Sequence, residues 1–216
     1  YVAITTTVFL TGFALLLGAN TFLLGVIGAL PFVGQLFQFV GAYLEERMGN
    51  RRTLVFLSSI GSRSLWLPLL LLPFLPIPNS ARLAILLVIL TISYALGGIV
   101  ANAWLSWMSD LVPVRQRGRY FGFRNTVAGA VSMVTTYAAG LVVDYYRARN
   151  QEDVAYALVF GLSVVCAAIA ALVLRQQPEP PMQRKERVRV SELFAAPLRN
   201  GRFRSYALAA TGWALA

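Results

Sequence analysis

Arg63 stands about ten residues into an apolar stretch running from about Thr53 to Leu72. At 1.5 Å of helix rise per residue, its guanidinium would sit roughly 15 Å deep in a membrane span. A charge at that depth is costly and normally meets a partner or a water-filled path. Three readings are open to it: it binds an anionic group of a solute, pairs with an acid of another helix, or snorkels toward one end. No acid lies at similar depth in the chain. Gln35 and Gln38, three apart in another apolar stretch, share a helix face. Asn102 and Trp104 lie inside a third such stretch. Neutral amides and an indole make a lining for a polar uncharged or amphipathic solute, and hydrogen bonding between helices is the competing use. Gln35, Gln38, Arg63, Asn102 and Trp104 are therefore the candidate cavity residues.

Other chemistries are missing. The sequence contains no histidine and a single cysteine, so it holds neither a histidine metal site nor an internal disulfide. It has no phosphate-binding glycine loop and no nucleophile–base–acid set, so no catalytic residue, metal or cofactor is assigned and an enzyme is not expected. Cys166, among Val164, Val165, Ala167 and Ala168, reads as a small buried hydrophobe.

The elements that must carry these residues are spans. Hydrophobic residues make up 57% of the 216 and charged ones 13%, where a soluble domain carries about 25%. About 20 mainly apolar residues cross a bilayer as a helix. Six stretches qualify, at about 1–17, 22–44, 53–72, 81–108, 120–143 and 155–174, and a seventh starts at about 203. Gly18-Ala19-Asn20 make a short turn between the first two, and Pro73, Pro76 and Pro78 end the third. Pro31 and Pro68 are candidate kinks. The expected fold is an all-α membrane bundle: six helices over 1–175, a basic linker over 176–202, and the start of a seventh helix over 203–216.

Charge orients the bundle. Of the 19 basic residues, 15 fall in or beside the loops after the second and fourth spans and in the linker after the sixth. Three, Arg82, Arg147 and Arg149, fall on the other side. The positive-inside rule places the rich side in the cytoplasm. A net charge of +10 laid out between spans is topology, not a nucleic-acid footprint. The linker is also suited to contact with anionic membrane lipid.

The loop Glu45-Glu46-Arg47-Met48-Gly49-Asn50-Arg51-Arg52 resembles the loop between helices 2 and 3 of the major facilitator superfamily of secondary transporters. Aligned on Arg47 and Gly49, Glu46 takes the acidic place, Leu44 the leucine place and Arg51 the last basic place. Ala42 and Asn50 depart from the pattern. Between the fourth and fifth spans, Asp110, Pro113 and the run Arg117-Gly118-Arg119 are similar to that family's corresponding loop. The resemblance covers essentially the whole chain and implies the N-terminal half of a twelve-helix bacterial transporter of the inner membrane, with a C-terminal six-helix half outside these residues.

What the resemblance implies for function is alternating-access movement of a small solute, with protons or another ion as the coupling partner. The competing expectation is a membrane sensor or assembly protein that keeps the fold. The resemblance makes Glu46, Arg47, Gly49 and Arg51, with Asp110, Arg115, Arg117 and Arg119, a cytoplasmic gate. Gly49 is expected to supply a tight turn with positive φ.

Overall fold

A computed structural model describes residues 2–5, 7–178 and 199–215. Among these the secondary structure is helical, with no strand. The order is α1 (Val2–Thr5), α2 (Thr7–Leu16), α3 (Thr21–Leu36), α4 (Gln38–Met48), α5 (Arg51–Ser64), α6 (Leu67–Leu71), α7 (Asn79–Leu111), α8 (Arg117–Arg147), α9 (Glu152–Arg175) and α10 (Gly201–Leu215). Two compact units divide the chain, residues 1–180 and 181–216; α10 belongs to the second. Most of the expected basic linker lies outside the described residues.

Local chemistry sets the boundaries. Gly18 takes φ +85° after α2, and the Asn20 side chain accepts from Leu23 N at 2.9 Å to cap α3. Gly49 takes φ +62° and closes α4, its N–H donating to Glu45 O at 3.0 Å. Asn50 then caps α5 by accepting from Thr53 N at 2.7 Å. Pro68 has no N–H to donate, and its ring would crowd the carbonyl one turn back. The third span accordingly breaks after Ser64 and restarts as α6. Pro31 behaves differently, lying inside an unbroken α3. The break in the second span comes at Phe37, where the N–H bonds Gly34 O in a single tight turn.

Five helical stretches among the described residues are long and apolar enough to cross a membrane: Thr21–Met48, Arg51–Phe74, Asn79–Leu111, Val114–Arg147 and Glu152–Arg175. The chain is a multi-pass membrane protein. The first expected span is described as the short helices α1 and α2.

In the first unit, α7 packs against α3, α4 and α5, while α9 packs against α5, α6 and α8. Burying apolar surface gives little drive inside lipid, so close fit must hold such helices together. The seam between α3/α4 and α7 uses glycine for this. A Cβ on Gly98 would lie 2.1 Å from Gly34 O, and one on Gly41 would lie 3.0 Å from Ile99 Cα. Around α9 the fit is aromatic: the Phe160 ring lies edge-on to Phe13 and to Trp66, at centroid distances of 5.2 and 5.4 Å. Ser62 and Ser93 bond across α5 and α7, and Trp66 Nε1 donates to Ser93 Oγ at 3.1 Å.

One expectation is corrected. Cys166 is exposed on α9, not buried. Ser163, Ala167 and Ala171, one turn apart, take the inward face. The cysteine shares the outward face with Leu162, Ile169 and Val173.

Candidate functional site

Three helix ends meet where α4 stops, α5 begins and α7 stops. Arg51 is the first residue of α5, and the Asn50 cap fixes its direction. Its Nε donates to Glu45 Oε1 at 2.6 Å, and its Nη1 donates to Asp110 Oδ2. Ser106 lies one turn before Asp110 on the same face of α7, and its Oγ donates to the same Glu45 oxygen at 2.6 Å. One guanidinium thus ties α4 to α7, with the serine as a second link. The side chains of Glu45 and Arg51 retain 9% and 11% of their exposure, while that of Asp110 retains 50%. A guanidinium bonded to two carboxylates is a strong charge-assisted arrangement, because its planar fork serves both acceptors.

The other loop residues are arranged differently. Glu46 and Arg47 are exposed and make no ion pair among the described residues. Arg115 and Arg119 are exposed as well. Arg117 turns back, its Nε donating to Val112 O at 3.1 Å. Of the eight residues expected at the gate, the structure brings together Arg51 and Asp110, with Gly49 forming the turn beside them. Glu45 and Ser106 complete the cluster and were not expected. Glu45 was legible in principle: it lies four residues after Gly41, on the helix face that packs against α7.

The expected cavity residues fall into separate groups. Gln38 Nε2 donates to Gln35 Oε1 across the Phe37 turn, and Gln35 is exposed. Asn102 lies beside Gly41 at the α4–α7 seam. Arg63 is directed to α9, where Nη1 donates to Ala167 O at 3.1 Å. Trp104 faces α8: its ring is edge-on to Phe121 at 6.3 Å, and the Arg124 guanidinium lies 4.3 Å from its centroid. An apolar cleft of about 430 Å³ between α1, α8 and α9 contains none of them; Ile4, Ala138, Val142 and Leu158 line it.

A comparison with curated proteins and one with solved structures each found no match. The sequence model of the Major Facilitator Superfamily matches residues 1–216. With its apolar helices, the chain belongs to that family of membrane transporters.

Proposed function

We propose that the chain forms the N-terminal half of a bacterial secondary transporter that moves a small solute across the cytoplasmic membrane by alternating access. Residues 1–175 form one wall of the central path, 176–202 a cytoplasmic linker that also meets anionic lipid, and 203–216 the start of the seventh span. A second six-helix half completes the path, and protons or another ion supply the drive. The Arg51 cluster carries this reading. Its two well-shielded members hold α4, α5 and α7 as one body. Half of the Asp110 side chain stays exposed to receive a donor when the two halves close on the cytoplasmic side. Arg47, Arg115, Arg117 and Arg119 form the basic rim around that closure, and Glu46 belongs to the same rim.

The cluster acts as a latch. Closing the cytoplasmic side adds contacts to Asp110, and opening releases them while the Glu45–Arg51 pair persists. Each charge-assisted hydrogen bond contributes about 1.5–3 kcal/mol, so losing one shifts the balance between the two states by about tenfold or more. The test is solute flux in proteoliposomes of the full-length protein, screened across sugars, peptides, organic anions and drugs with and without a proton gradient. Flux that falls in Asp110→Asn with the protein still folded supports the latch. Absence of flux for every solute class sinks the transporter reading.

A further inference from the structure

Arg124 is one of the 15 basic residues on the charge-rich side, yet its setting is not that of a solvated loop charge. It lies seven residues into α8, about 10 Å from the helix start at 1.5 Å per residue. Trp104 lies seven residues before the end of α7, so the two meet at matching depth. The guanidinium sits over the indole at 4.3 Å, and Phe121 closes the side of the ring. Its Nη1 donates to Asn125 Oδ1 at 3.0 Å. No carboxylate pairs with Arg124 among the described residues.

Three physical consequences follow. A guanidinium stacked on an indole keeps its N–H edges directed sideways, and its planar fork matches a carboxylate. With its Oδ1 already accepting, the Asn125 amide keeps its own N–H donors for another acceptor. The flat apolar walls of Trp104 and Phe121 stand beside these donors. Charge elsewhere agrees with the fork: all nine acidic residues lie at helix ends or in the 176–202 linker. An anion entering between the spans therefore meets no fixed negative charge in this half, and a cation meets no partner. Arg124, Asn125 and Thr126 also form a polar run on a stretch of α8 exposed in this half. Such a run is placed against protein or water, not lipid.

We propose that Arg124, Asn125 and Trp104 form a binding site for a carboxylate-bearing solute with a flat apolar body, near the cytoplasmic mouth of the path. The carboxylate takes the guanidinium edge and the Asn125 amide, and the body lies along Trp104 and Phe121. This deepens the transporter reading and rests on it for the direction the site faces.

The test is equilibrium binding to the full-length protein in lipid nanodiscs. The probes are benzoate, 1-naphthoate and their primary amides, which match them in shape without the charge. The expected result is naphthoate binding at least about tenfold tighter than naphthamide, since one charge-assisted contact separates the two. Arg124→Gln brings the acid down to the level of the amide. Arg124→Lys, a point charge without the fork, retains part of the preference, and Trp104→Leu weakens acid and amide alike. Equal binding of acid and amide, binding of neither, or an acid preference that survives in a folded Arg124→Gln overturns the proposal. Counterflow of naphthoate in proteoliposomes separates this from the transporter reading. Arg124-dependent binding without counterflow leaves the site standing and removes transport. Counterflow of naphthoate that Arg124→Gln does not alter removes the site and leaves transport.

Discussion

Arg51 Nε donates to Glu45 Oε1 at 2.6 Å, while Glu46, one residue on, is exposed and bears no ion pair among the described residues. Successive helix residues are about 100° apart around the axis, so a single step moves a carboxylate from the α7-facing side to the surface. The two glutamates therefore separate cleanly by mutation. Glu45→Gln leaves Arg51 with one carboxylate and a poorer acceptor at a shielded helix end. It is expected to cost about 1.5–3 kcal/mol, the contribution of one hydrogen bond to a charged group. Glu46→Gln is expected to change stability by less than about 0.5 kcal/mol, as for an ordinary surface substitution. Thermal unfolding of the two variants in one detergent measures the difference; equal shifts would remove Glu45 from the cluster.

Part of the fold was legible in the sequence itself. Five of the spans were, because runs of about 20 apolar residues carry their own signal, while the first is described as two short helices. So was the turn at Gly49, because glycine readily adopts a positive φ. The family motif hides Glu45, because its register on Arg47 and Gly49 puts Glu46 in the acidic place. Helix geometry favours the other residue: Gly34, Gly41 and Glu45 follow one another at seven and four residues on one face. The residue type at Asn50 was a departure from the motif, and the structure gives it a separate use as the cap that aims Arg51. In the sequence Arg124 reads only as topology, since no sequence pattern reveals which indole a guanidinium will cover.

Glycine at the α3–α7 crossing is expected to be irreplaceable. A Cβ at position 98 would lie 2.1 Å from the Gly34 carbonyl oxygen, which is backbone and has no rotamer to escape into. Gly98→Ala should push the helices apart and cost at least about 1–3 kcal/mol, the usual penalty of overpacking. Apart from its own helix, no described residue lies within 4 Å of a Cβ placed at Gly97, so Gly97→Ala supplies the matched control. Folded yield and melting temperature should fall in the first variant alone; parallel behaviour would mean the crossing is looser than this.

Buried serines at the α5–α7 contact differ in what they do. Ser93 Oγ accepts from Trp66 Nε1 at 3.1 Å and exchanges bonds with Ser62. Ser59 Oγ is buried with no hydrogen-bond partner among the described residues. Ser93→Ala removes the acceptor of the indole bond and the exchange with Ser62, and should cost about 1–2 kcal/mol. Ser59→Ala removes an unsatisfied hydroxyl and should be neutral or stabilising. Chemical or thermal unfolding distinguishes them, and a larger loss from the Ser59 change would show that its hydroxyl has a partner after all.

The single cysteine reports on which side of α9 meets lipid. Cys166 lies with Leu162, Ile169 and Val173 on the exposed face, opposite Ser163, Ala167 and Ala171. In a bilayer that face is expected to meet acyl chains, out of reach of water-soluble reagents. A nitroxide attached at Cys166 of the full-length protein, reconstituted in lipid, is expected to collide readily with dissolved oxygen and rarely with a water-soluble nickel chelate. Shielding from both would put another helix over this face, and frequent collision with the chelate would put water there. The second result would require α9 to be turned about its axis, and the Arg63 bond to Ala167 on its inner side would have to be redrawn with it.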